Sequence, residues 1–274
     1  MPVIDFHVHP SFADSFHPWV LEWMARSFAG DFRQFCRTYS NRDRFLELME
    51  ENGVDYAVIV AENSPVTTGI TSNRAVIDFC KDKPGLIPFA NINPFVDAQP
   101  VRLLENLVEK EGIRGVKMYP TYQFFYPNDA RLYPLYAKAR ELGIPIMFHT
   151  GSSIFKGSRI KYGNPVYFDD VAVDFPGLTL IMSHSGRGFW YREAFFLSRI
   201  HQNLYMEIAG LPPKKLLTYF PEFERNTDKI IFGSDWPGVS GVKENIADIR
   251  ALPISKEQIE KILWANAAKI LKIT

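Results

Sequence analysis

Cysteine is scarce in this 274-residue chain: it has two, Cys36 and Cys80. They are too far apart for a close-spaced metal or redox motif. One disulfide fits that number, and two reduced, buried thiols are the expectation for a cytoplasmic chain. Net charge is absent too, with 31 Lys+Arg against 31 Asp+Glu. That balance speaks against a surface that tracks nucleic-acid phosphates or clings to an anionic membrane. No apolar run approaches the roughly 18 residues needed to cross a bilayer. The opening MPVIDFHVHP has neither a basic n-region nor an apolar h-region, so secretion is not expected. Low-complexity segments, charge blocks and short repeats are missing as well, and residues 1–274 read as one domain. Histidine is the scarce residue that matters: there are six, His7, His9, His17, His149, His184 and His201.

What is present is ordinary globular composition, 46% apolar and 23% charged. Short β-rich runs at 3–8, 55–60, 86–91, 113–118, 144–148, 178–182, 204–208 and 229–233 alternate with amphipathic stretches at 42–51, 73–81, 99–110 and 130–141. The runs read as buried parallel strands, and the stretches as helices lying on the sheet. Gly53, Gly112 and Gly143 stand as helix stops just before strands. Eight strands with about eight helices in this length predict a single (β/α)8 barrel of the TIM type. A doubly wound open sheet is the runner-up, but no Gly-rich phosphate loop follows the first strand. Residues 10–40 break the alternation and carry Phe12, Phe16, Trp19, Trp23, Phe28, Phe32, Phe35 and Tyr39. This aromatic excursion either packs over the barrel or into a partner subunit of a homodimer, or walls a pocket as a lid. Residues 255–271 read as two helices, with a capping box from Ser255 and Gln258.

His7 and His9 are two residues apart on the first strand, so both side chains share a face. His149 follows the fifth run, His184 the sixth after one serine, and Asp235 the eighth. Each is a metal-competent side chain at the C-terminal tip of a predicted strand, the end where barrel active sites lie. Nitrogen and oxygen donors without thiolates suit Zn²⁺, and also Mn²⁺, Fe²⁺ or Co²⁺.

Asp5-Phe6-His7-Val8-His9, the distal His149 and His184, and Gly233-Ser234-Asp235-Trp236-Pro237 together resemble the amidohydrolase superfamily. The pattern is most similar to its amidohydrolase-related branch, which includes the aminocarboxymuconate semialdehyde decarboxylase type. The resemblance spans the whole chain and implies a distorted barrel with a divalent metal at its mouth. By that match His7, His9, His149 and Asp235 bind the metal, while His184 stays off it and polarises water or substrate. One ion is the favoured count. In the binuclear members a lysine at the end of the fourth strand is carbamylated and bridges two ions, with the fifth- and sixth-strand histidines on the second. Lys117 matches that position, so two ions follow if it is carbamylated. Otherwise it binds a substrate anion or pairs with a carboxylate.

The first functional expectation is a hydrolase of a small-molecule amide, ester or lactone. In it a metal-activated water attacks, Asp235 moves the proton and His184 steadies the oxyanion. The alternative keeps the site but releases CO₂ from a small unsaturated or aromatic carboxylic acid. It needs cations for the substrate carboxylate, with Arg187 best placed and Arg159 and Lys161 next. Tyr119 and Trp236 are expected to line the pocket. Glu62, Asn63, Asn91 and Asn93 fall near the same mouth as substrate contacts or loop caps. His17 reads as a surface group and His201 as structural.

Overall fold

The computed structural model of the protein describes every residue except Ser27, Ala29, Ser240 and Thr274. The first two belong to the aromatic excursion, so that part of the expectation lies outside the described residues. Eight strands form one sheet: β1 (Ile4–Val8), β2 (Tyr56–Val60), β3 (Leu86–Ala90), β4 (Gly115–Met118), β5 (Ile146–Gly151), β6 (Leu180–Arg187), β7 (Leu204–Glu207) and β8 (Ile230–Ile231). Neighbours pair in parallel and in chain order. The sheet then closes on itself. Phe6 N–H donates to Phe232 O at 3.0 Å, Asp235 N–H to His7 O at 3.0 Å, and His9 N–H to Trp236 O at 2.8 Å. This is the expected distorted TIM barrel, and the open sheet is set aside.

The period-2 alternation of the strands separates two cores. Ile4, Phe6, Val58, Val60, Ile87, Phe89, Met147, Ile181, Tyr205 and Ile231 fill the barrel interior. Val8, Ala57, Ile59, Val116, Met118, Ile146, Phe148, Leu180, Met182, Leu204 and Met206 face the surrounding helices. The interior filling is layered. Above the apolar layer, the next inward positions of β4, β6 and β7 carry Lys117, Ser183 and Glu207, all buried.

Helices Arg42–Asn52, Asn73–Cys80 and Pro100–Glu111 match the amphipathic stretches closely. The fourth begins as a 3₁₀ turn at Ala130–Leu132 and becomes α-helical only at Tyr133–Leu142. Pro134 lacks the N–H that would carry an α-helix across that point. The C-terminal pair runs on through a π turn, Lys261–Ala265, between Lys256–Glu260 and Asn266–Leu271, behind the Ser255–Gln258 capping box. Asn266 Nδ2 donates to Thr227 O and Ile230 O at 2.7 and 2.8 Å, so Ala267, Ala268, Ile270 and Leu271 plug the N-terminal end of the barrel.

A short antiparallel hairpin, Glu62–Ser64 with Gly69–Thr71, was not expected; three-residue strands are too short to carry a periodicity. The aromatic excursion contains helices Pro18–Ala25 and Phe32–Tyr39. They share a small core of Val20, Leu21, Met24, Phe32 and Cys36, and Trp23 meets Phe155 edge-on at 5.3 Å. Cys36 and Cys80 are free, buried thiols. Among the described residues no helix is long and apolar enough to cross a membrane.

Gly115 sits where a Cβ would overlap the Phe89 ring inside the barrel. Gly115→Ala should therefore force Phe89 off its rotamer and cost about 1–3 kcal/mol, as overpacking does. A lowered thermal midpoint with an unchanged far-ultraviolet spectrum checks this, and a midpoint equal to wild type contradicts it.

Candidate functional site

The C-terminal mouth holds a cavity of about 480 Å³. Its floor is made by His7, His9, Glu62, Tyr119, His149, His184 and Asp235, with Arg187 at one side. The sequence alternation puts His7 and His9 on one face, but an unbroken strand would set His7 opposite the interior Phe6. The β1–β2 register shifts between Asp5 and Val8. Such an irregularity re-aims a strand's side chains. It lets Phe6 fill the barrel while His7 and His9 both turn into the mouth. Asp235 and His184 reach it from strand ends whose backbones adopt positive φ, 69° and 62°.

His7 Nε2 and His9 Nε2 lie 3.2 Å apart, and Asp235 Oδ1 is 3.6 Å from each. These three atoms surround a point roughly 2 Å from all of them, the bond length that imidazole and carboxylate make to a divalent cation. Two imidazole nitrogens aimed at one another beside a carboxylate form a donor set with an evident use, and the residues fit a metal ion. A second grouping, His7, His184 and Glu207, shares His7. His149 falls in neither. It is buried, with its ring 4.7 Å from that of His184 and 4.8 Å from that of Tyr122, and its Nε2 is 3.4 Å from Ser152 O.

Burial pushes His7, His149 and His184 well below the usual imidazole range, reinforced by nearby Lys117 and Arg187. They are held neutral, the form that ligates. His184 Nδ1–H donates to Ala209 O at 2.9 Å, which turns Nε2 to the cavity. Lys117 is fully buried; its Nζ donates to Ser183 Oγ and stands 3.4 Å from His7 Nε2. Burial pulls it down to about 8, against the pull of the Glu207, Asp235 and Glu62 carboxylates. Arg187 Nη1 lies 3.7 Å from Asp235 Oδ2. Among the described residues that line the cavity, Arg187 is the one Lys or Arg side chain. Arg159 and Lys161 instead lie over Phe124 and Tyr162.

Tyr119 lines the floor, with its hydroxyl donating to Ala61 O at 2.9 Å. Trp236 does not line the cavity, which corrects its expected substrate role. Its ring turns outward against Phe35, Tyr39 and Phe45, while its neighbour Asp235 turns inward. Glu62 is buried at the cavity wall, accepts from Thr68 Oγ1, and is pushed up by burial. Asn91 serves the loops: it accepts from Asn63 N–H and Gln123 Nε2 and donates to Lys117 O. Asn93 caps Phe95 N–H. His17 meets Pro65 O at 2.8 Å and His201 meets Asp169 at 2.6 Å, both outside the cavity lining.

Two carboxylates escaped the sequence reading. Asp5 accepts Ser234 N–H at 2.8 Å and His7 N–H at 3.2 Å. It ties the turn that carries Asp235 to β1. Glu207 lies beneath His7. The signal was available: an acid inside an otherwise apolar strand run is costly to bury and needs a partner.

A family model described as amidohydrolase matches residues 4–273. The chain belongs to the amidohydrolase family. Among solved structures, a TIM-barrel protein of Bordetella bronchiseptica is 26% identical with a TM-score of 0.82, covering 100% of this chain and 99% of that one. The 5-carboxyvanillate decarboxylase of Sphingomonas paucimobilis is 17% identical with a TM-score of 0.70, covering 100% and 99%. A dihydroxybenzoic acid decarboxylase of Polaromonas, solved with manganese and the inhibitor 2-nitroresorcinol, is 18% identical with a TM-score of 0.71, covering 99% and 97%. At such identities the decarboxylase likenesses speak to the fold. No curated protein matches the chain.

Manganese-loaded protein, dialysed and analysed for metal, should retain about one equivalent, as expected for a single donor set. His9→Ala and Asp235→Ala should each retain less than about a tenth of that. Two equivalents, together with a carbamate mass on the Lys117 peptide, would instead support a binuclear centre.

Proposed function

We propose that the protein is a divalent-metal-dependent, non-oxidative decarboxylase of a small aromatic or unsaturated carboxylic acid. The observation that carries the reading is Arg187, a cation in the cavity wall beside Asp235 and three residues beyond His184. A guanidinium grips a carboxylate with paired, directional hydrogen bonds. Hydrolysis of a neutral amide, ester or lactone gives it no comparable task. This reverses the order expected from the sequence, where hydrolysis stood first. The decarboxylases of similar fold support the change.

His7, His9 and Asp235 would hold the cation, with His149 a further candidate beside them. Manganese is the first ion to test, since the Polaromonas decarboxylase structure contains it. When bound, the ion supplies Lewis-acid stabilisation of negative charge on substrate oxygens. Arg187 holds the substrate carboxylate. The apolar wall of Phe16, Val20, Trp23, Met24 and Phe155 takes the flat body of the acid and keeps water from it. His184 Nε2 accepts a hydrogen bond from the substrate and orients it. Asp235 relays a proton, taken up from solvent in each turnover, to the carbon that bears the carboxylate. The bond to that carboxylate then breaks, its electron pair returns to the ring or double bond, and CO₂ leaves a product with C–H in its place.

The test is a panel of hydroxylated benzoates, with 2,6-dihydroxybenzoate and 5-carboxyvanillate first, assayed for CO₂ with manganese-loaded enzyme. Turnover in D₂O should place one deuterium on the former carboxylate carbon. Arg187→Met should raise KM roughly 10- to 100-fold, the worth of a hydrogen bond to a charged group. Turnover of esters or lactones, with no CO₂ from any acid, would sink the decarboxylase reading.

A further inference from the structure

Glu207 is fully buried at the end of β7, and its carboxylate accepts two backbone N–H groups. Oε1 takes Ala209 N–H at 2.7 Å, Oε2 takes His184 N–H at 3.3 Å, and the ring Nδ1 of His7 stands 3.3 Å from Oε2. The backbone carbonyl of Glu207 also accepts Ser185 Oγ at 2.9 Å. Room for this carboxylate is built in from the far side. A Cβ on Gly233, at the start of the turn that carries Asp235, would overlap Glu207 Oε1 and stand 2.9 Å from His7 Cβ. So β7, the turn after β8, and β1 meet at one buried acid, whose single side-chain partner among the described residues is the imidazole nitrogen turned away from His9 and Asp235.

A neutral imidazole has one N–H, and its position decides which nitrogen has a free lone pair. Burial favours a neutral Glu207, but Lys117 and the two backbone N–H groups on its oxygens favour the carboxylate, which is an acceptor only. Facing Nδ1, it places the proton there and leaves the Nε2 lone pair for the mouth. We propose that Glu207 is a positioning residue: it sets the tautomer and ring orientation of His7 and thereby the affinity of the His7–His9–Asp235 donor set for a divalent cation. By holding His184 N–H and the Ala209 turn, whose carbonyl takes His184 Nδ1–H, the same carboxylate aims His184 as well. The corresponding position on His9 is looser: its Nδ1 is 3.9 Å from Glu62 Oε2, beyond hydrogen-bond range. The proposal rests on the metal-binding reading of the mouth.

The deciding variant is Glu207→Gln. Its single amide oxygen keeps the shorter of the two backbone bonds, from Ala209 N–H, so its NH₂ takes the place of Oε2, faces His7 Nδ1 and forces the proton to Nε2. Manganese affinity, measured by titration of the paramagnetic ion, should weaken roughly 10- to 100-fold, the usual effect of losing an outer carboxylate partner. Long-range ¹H–¹⁵N spectra of histidine-labelled, metal-free protein, with His7 assigned from a His7→Gln variant, should show Nδ1–H in wild type and Nε2–H in Glu207→Gln. Glu207→Asp, which keeps an acceptor, should keep the wild-type tautomer. Manganese binding by Glu207→Gln within twofold of wild type overturns the proposal and leaves the metal reading intact. Wild-type protein that binds neither manganese nor zinc overturns the metal reading and the proposal with it. Should Glu207→Gln fail to fold, the wild-type spectrum still decides: a proton on His7 Nε2 is incompatible with the role assigned to Glu207.

Discussion

The seam between the first and last strands is the constraint on which the mouth of this barrel depends. Backbone hydrogen bonds join Phe6 to Phe232, His7 to Asp235 and His9 to Trp236, and the Asp5 carboxylate adds a bond to Ser234 N–H. The same few residues that close the sheet carry His7, His9 and Asp235. Closure and donor geometry are thus one event. If β8 slipped against β1, the 3.6 Å distances from Asp235 to the two imidazoles would be lost together with the barrel. β8 contributes only two ladder residues, Ile230 and Ile231, so the seam leans on these bonds beyond the ladder. Asp5 is expensive to bury, and burial lifts it to about 6, but the acid ties two chain segments at the point where the site needs them fixed.

Charge in the mouth follows the same logic. Counted at formal charge, the cavity-lining acids Glu62 and Asp235 outweigh Arg187 by one. A divalent cation on the donor set would turn that excess into one positive charge, which the proposed monocarboxylate substrate would cancel. In a buried site an uncompensated charge is costly, so complete compensation favours the loaded and occupied state. Beneath the cavity, Lys117 and Glu207 oppose one another in the interior, each pushed by burial toward its neutral form and drawn back by the other. The zero net charge of the whole chain gave no sign of this local balance.

How much of this was legible in the sequence depended on the range of the interactions. Strand periodicity and the positions of His7, His9, His149 and His184 at strand tips are local properties, and the barrel and its polar mouth could be read from them. The capping box at Ser255 and Gln258 is local too, and it forms as expected. The irregularity in β1 was invisible because it is a property of pairing with β2. The acid among Leu204, Tyr205, Met206 and Ile208 signals a buried partner, but the partner itself could not be read because His7 lies 200 positions away. Trp236 was misplaced because adjacency to Asp235 says nothing about side-chain direction, and the aromatic excursion that claims its ring comes from the other end of the chain.

That excursion also bears on which chemistry suits the site. Phe16, Val20, Trp23 and Met24 form an apolar wall over the His7–His9–Asp235 floor, braced where Trp23 meets Phe155. A hydrolase must admit water as a reactant and benefits from polar groups that order it. A decarboxylase gains from the opposite: loss of CO₂ disperses the charge of a carboxylate, and a charge-dispersing step is favoured where water is excluded and the remaining dipoles are fixed. Arg187 alone could serve either reaction if the hydrolysed substrate carried an acid. Taken with an apolar wall built from the aromatic excursion, the arrangement supports the proposed carbon–carbon cleavage rather than attack by water.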